Sequence, residues 1–160
     1  MKRQLIALIS GITLASSSVA YANIEFLERG DDFSNEVVST LRVETSDTSP
    51  ATLFLSCNPT AGLSVQLATR SVMHPDDLQG NRMRISTTHK FEEASEAATT
   101  NWAMNMMQYK NSWYPGNQRT FIEEAAKSTQ LNLRLNKVGA VYRFNLRGTK
   151  DHLQTILGRC

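Results

Sequence analysis

Leu131-Asn132-Leu133-Arg134-Leu135-Asn136-Lys137-Val138-Gly139-Ala140-Val141-Tyr142-Arg143-Phe144-Asn145-Leu146 is the stretch whose reading decides the fold. Leu131, Leu133 and Leu135 alternate with Asn132, Arg134 and Asn136. After Gly139, Ala140, Tyr142, Phe144 and Leu146 alternate with Val141, Arg143 and Asn145. Two runs of period two around a short glycine-containing loop predict an antiparallel hairpin with one buried face. Gly148 breaks the second strand, and Thr149 is placed as the N-cap of a helix through Leu157, followed by Cys160.

The same alternation recurs upstream. Val37, Ser39, Leu41 and Val43 share one face of a first strand. Leu53, Leu55 and Cys57 share one face of a second, which turns through Asn58-Pro59-Thr60-Ala61-Gly62 into a third carrying Leu63, Val65 and Leu67. Met83 and Ile85 alternate with Arg82, Arg84 and Ser86. Trp102, Met104 and Met106 alternate with Ala103, Asn105 and Met107. Asn117 to Ser128 places Phe121, Ile122, Ala125 and Ala126 on one side of a helix and Glu123, Glu124 and Lys127 on the other. Asn23–Asn35 reads as a polar lead-in or short helix. Ser71–Asn81 and Tyr109–Gly116 read as loops, and Glu92–Thr100 as a loop or a helical turn. Some seven strands and one or two helices indicate a mainly β fold. The expectation is a small antiparallel β-sandwich or half-barrel.

The N-terminal residues stand outside that fold. Lys2 and Arg3 precede a short apolar run, Leu5 to Leu14, and Ala20-Tyr21-Ala22 fits a cleavage site. Residues 1–22 are therefore expected to be a secretory signal peptide and residues 23–160 a single domain. The apolar run falls short of the roughly 20 residues of a membrane helix. The chain carries 17 basic and 15 acidic residues; without Lys2 and Arg3 the basic count is 15 and the mature charge zero. That balance argues against nucleic acid as a partner. Two cysteines in an exported chain predict one bond, Cys57–Cys160.

Catalytic chemistry finds little support. Two distant cysteines and three scattered histidines do not supply a zinc set, no cofactor is expected, and no serine lies in a nucleophile elbow. His74, Asp76 and Asp77 read as a surface loop, and His89 and His152 have no partner at a telling spacing. Arg84, Arg134 and Arg143 fall on the polar sides of their strands. If these strands are neighbours, the arginines form a cationic stripe suited to carboxylates or phosphates. Trp102 to Met107 reads as core. Trp113-Tyr114-Pro115-Gly116 reads as a loop whose rings are candidates for partner contact.

Leu53-x-Leu55-x-Cys57, Arg84-Ile85, Trp102 or Trp113, Phe121-Ile122, Leu131-x-Leu133-Arg134, Phe144-x-Leu146-x-Gly148 and Cys160 stand in an order that resembles the VasI/TagO-like proteins. These are periplasmic accessories of type VI secretion systems, and related small exported phage and prophage proteins share the pattern. The resemblance covers roughly Ala51 to Cys160. It implies a periplasmic protein-binding accessory of a cell-envelope machine, not an enzyme, whose partners are secretion-system membrane components. Two other readings stay open: a phage or prophage envelope or inhibitor protein, and a small periplasmic cell-wall hydrolase.

Overall fold

A computed structural model describes residues 23–30, 36–45, 50–69, 84–104 and 112–160. The expected signal peptide, the loop with His74, Asp76 and Asp77, and Asn105, Met106 and Met107 lie outside the described residues.

Nine strands and two helices are described. They are β1 (Ile24–Gly30), β2 (Val37–Glu44), β3 (Ala51–Asn58), β4 (Gly62–Thr69), β5 (Arg84–Phe91), β6 (Ala98–Met104), β7 (Ser112–Tyr114), α1 (Gln118–Ala125), β8 (Gln130–Leu135), β9 (Ala140–Asn145) and α2 (Lys150–Arg159). The chain is mainly β and antiparallel with two short helices, as its periodicity predicts, and it carries the Cys57–Cys160 disulfide expected of its two cysteines. The strands pair in the order β1-β2-β3-β4-β7-β6-β5-β8-β9. Two antiparallel halves, β1 to β4 and β6-β5-β8-β9, are thus joined through the three residues of β7. A bridge between Thr45 and Phe144 brings the far strand back towards β2, so the sheet curls as a half-barrel.

Each half contributes apolar rows to one core. Leu41, Leu55 and Val65 stand opposite one another, as do Val43, Leu53 and Leu67. In the other half Phe91, Leu131 and Phe144 form a row, and Ile85 faces Trp102. All of these side chains are buried. Gly139 turns the β8–β9 hairpin at φ 68°, a conformation that side chains with a Cβ adopt at a cost.

The helices lie against the inner face. Helix α1 starts at Asn117, whose Oδ1 accepts the Thr120 N–H at 3.2 Å, and it buries Phe121, Ile122 and Ala125. Phe121 touches the rings of Phe91, His89 and Trp102, with centroids 5.1 to 5.6 Å away. Gln118 Oε1 accepts the Val65 N–H at 2.8 Å, on the strand that the short β7 follows only at Leu67 and Ala68.

Helix α2 buries Leu153 and Ile156. Thr149 occupies the N-cap position as expected, but its hydroxyl donates back to the Leu146 carbonyl at 2.7 Å and caps nothing. The last two residues dock on one sheet row. Glu28 pairs with Ser39 and Ser39 with Cys57 in the strand register. Arg159 bonds to both Glu28 and Ser39, and Cys160 is disulfide-bonded to Cys57 with Cα atoms 5.8 Å apart. His152 stacks on Phe26 with centroids 4.4 Å apart.

Three expectations are corrected. Ile24–Gly30 is an edge strand: Phe26 and Glu28 point to α2 while Glu25 pairs outward with Arg42. Ala98–Thr100 belongs to β6 and not to a loop, because threonines 99 and 100 pair with Thr88 and Thr87. Trp113 and Tyr114 belong to β7 and not to a loop; β7 is hydrogen-bonded to β4 on one side and β6 on the other. A three-residue strand is too short to reveal itself by alternation.

Candidate binding surface

The outward side of β6-β5-β8-β9 follows from the strand register. Every second residue faces away from the core, and antiparallel pairing sets those residues in rows. Lys90, Asn132 and Arg143 form one row. Thr99, Thr88, Arg134 and Val141 form the next. Lys90 and Arg143 flank Asn132 and so stand about 10 Å apart, twice the strand spacing. Arg134 is the diagonal neighbour of Arg143. Lys90, Arg134 and Arg143 are all exposed.

This face is held in place by its own hydrogen bonds. Asn136 Oδ1 accepts from Arg134 Nε at 3.1 Å and from Thr88 Oγ1 at 3.0 Å, while Asn136 Nδ2 donates to Ser86 Oγ at 2.9 Å. Thr88 and Thr99 share a hydroxyl bond of 2.9 Å, and Gln130 donates to Asn132 at 3.0 Å. The bond through Nε orients the Arg134 guanidinium and leaves its two terminal nitrogens facing solvent. Among the described residues neither Arg134 nor Lys90 is in an ion pair.

The expected stripe is therefore brought together in part. Arg134 and Arg143 are neighbours. Arg84 is exposed on the same outward side, but at the opposite end of β5, four residues from Thr88 and thus some 13 Å along the strand. Lys90 takes the place expected of Arg84. The signal for it was available: Thr87, His89 and Phe91 continue the alternation that Ile85 begins. Trp113 and Tyr114 are not gathered with the arginines, since β6 and β5 lie between β7 and β8.

A cleft lies on the other side of the same strands. His89, Ala98, Thr100 and Asn101 meet Pro115, Gly116 and the first turns of α1 at Asn117, Thr120, Phe121 and Glu124, around a volume of about 420 Å³. His89 is 7% exposed, and its Nδ1 is buried without a partner. Burial holds its pKa below the ordinary imidazole value, partly opposed by the Glu124 carboxylate. Burial also raises the Tyr142 hydroxyl, two strands away in the same row.

Among the described residues no three His, Cys, Asp or Glu side chains converge on a point where a metal ion would sit. No helix among them is long and apolar enough to cross a membrane. The chain matches no protein-family model, no curated protein and no solved structure.

Proposed function

We propose that this protein is an exported binding domain that docks an acidic partner protein of the cell envelope through Lys90, Arg134 and Arg143, with Arg84 at the flank. The observation that carries this reading is the Arg134 guanidinium, fixed through Nε by Asn136 and left without a carboxylate. A preoriented guanidinium loses little freedom on forming a bidentate bond to Asp or Glu. Most of the surrounding outward side chains are amides and hydroxyls rather than acids, so Lys90 and Arg134 keep their field. Val141, 37% exposed beside Arg134, adds a small apolar contact. The resemblance to type VI secretion accessories narrows the partner to membrane components of such a system with acidic periplasmic segments.

The test is crosslinking and capture of the tagged chain in its own periplasm, beside a Lys90→Glu/Arg134→Glu variant. The variant should melt like the parent and bind the captured secretion component at least about tenfold more weakly, a loss of about 1.4 kcal/mol. Equal binding by the variant removes this face from the reading. Capture of an unrelated envelope protein with the same charge dependence keeps the face and removes the secretion system.

A further inference from the structure

We infer that the cleft between β6 and the start of α1 is a binding site for a neutral, hydroxyl-bearing ligand of the saccharide class, with His89 as its buried hydrogen-bond donor. The inference stands apart from the cationic face, which lies on the opposite side of the sheet.

The geometry starts from His89. A buried polar atom without a partner is uncommon in folded proteins and calls for an explanation. Nδ1 is sealed off and unpaired. Nε2 has no partner among the described residues either, yet it is not sealed, and the ring lines the cleft. The neutral imidazole carries one proton. On Nδ1 that proton would be a buried donor with no acceptor. On Nε2 it leaves only a lone pair buried and gives the cleft a donor. The rings of Phe91 and Phe121 hold the imidazole at centroid distances of 5.7 and 5.2 Å, so the donor is fixed in direction.

The rest of the lining selects the ligand. Glu124 offers a carboxylate, Thr120 and Thr100 offer hydroxyls, and Asn101 and Asn117 lie at the rim. Thr100 Oγ1 already accepts from Trp102 Nε1 at 3.1 Å, which leaves its own proton to give. Asn117 Oδ1 is engaged at the helix cap. The carboxylate repels anions that would otherwise be drawn to a helix N-terminus. Donors and an acceptor thus share the lining with the apolar Pro115, Phe121 and Ala98, a mixture that suits sugar hydroxyls and C–H faces. The volume falls within the roughly 300–1,000 Å³ of small-molecule sites. Glu124 is the one carboxylate among the described lining residues. Glycoside hydrolysis in most families uses two, so the cleft is assigned to binding.

The test titrates the mature chain with N-acetylglucosamine and its β-1,4-linked disaccharide while following the His89 ring nitrogens by NMR. Acetate and methylammonium serve as charged controls. A saturable millimolar shift at Nε2 with the sugars alone, weakened at least about tenfold in Glu124→Ala, is the expected result. Glu124 is exposed, so that variant keeps the fold, and His89→Gln, read for binding once its melting curve shows it folded, should lose the site. A silent Nε2 signal at saturating sugar overturns the assignment. So does a shift with acetate or methylammonium alone, or an undiminished affinity in Glu124→Ala.

Discussion

The two halves of the sheet treat their charges in opposite ways. On the β1–β2 side, Arg42 bonds to Glu25 at 3.1 Å and to Glu44, Asn23 donates to Glu44 at 3.0 Å, and Arg159 is held by Glu28 and Ser39. On the β5-β8-β9 side, Lys90 and Arg134 face solvent with amides and hydroxyls around them. Similar residue types therefore do different work. The first half uses its arginines to fasten β1 and α2. The second leaves Lys90 and Arg134 outside any ion pair among the described residues, and holds a buried imidazole whose Nδ1 has no partner. Stability should concentrate in the first half and recognition in the second.

The largest expected effect breaks the fastened half. Cys57→Ser and Cys160→Ser should each cost about 4–5 kcal/mol by the chain-entropy model for a loop of about 100 residues. The two melting temperatures should fall together, since either change removes one and the same bond. Unequal losses would show that one cysteine has a packing role of its own.

Next comes acidification, which tests the other half. Because burial disfavours the imidazolium, the folded chain takes up its His89 proton only below the ordinary value of 6.5, whereas the unfolded chain takes it up near that value. The unfolded state binds more protons in that window, so the stability His89 contributes is full above 6.5 and declines as the pH falls below it. Melting curves from about pH 7.5 to about pH 5 should show this slope, and His89→Gln should flatten it. Equal slopes in the two proteins would place the acid sensitivity elsewhere.

The smallest effects sharpen the contrast. Arg42→Ala should cost about 0.2–1 kcal/mol, the range of exposed ion pairs. Arg134→Ala should change stability by no more than about 0.5 kcal/mol while weakening partner binding. Chemical denaturation of the two variants side by side decides it. If Arg134→Ala proves the more damaging, the distinction between fastening and recognition fails.

Much of the fastened half was legible in the sequence. Its strands alternate cleanly, and Leu53, Leu55 and Cys57 point inward as their spacing requires. The β8–β9 hairpin and both helices were equally readable for the same reason. Ile24–Gly30 was not, because the exposed Glu28 stands on the α2 side to meet Arg159, a partner 131 positions away that local periodicity does not register. Strand β7 was hidden by its length. The arginine stripe was half legible: facing can be read along one strand, but which cations become neighbours depends on the order β5-β8-β9. His89 was missed because a histidine at an inward position resembles any polar interruption. Only the fold shows Phe91 and Phe121 around it.

The disulfide between Cys57 and Cys160 also makes a covalent ring. Strands β4 to β9 and both helices lie within it. A protease that cuts once anywhere between those two positions opens the ring without releasing a piece, and the nicked protein runs as a single species until a reductant is added. Wherever the chain meets a protease, one cut is then survivable damage: the severed segments stay tethered beside their partners and can re-pair in place.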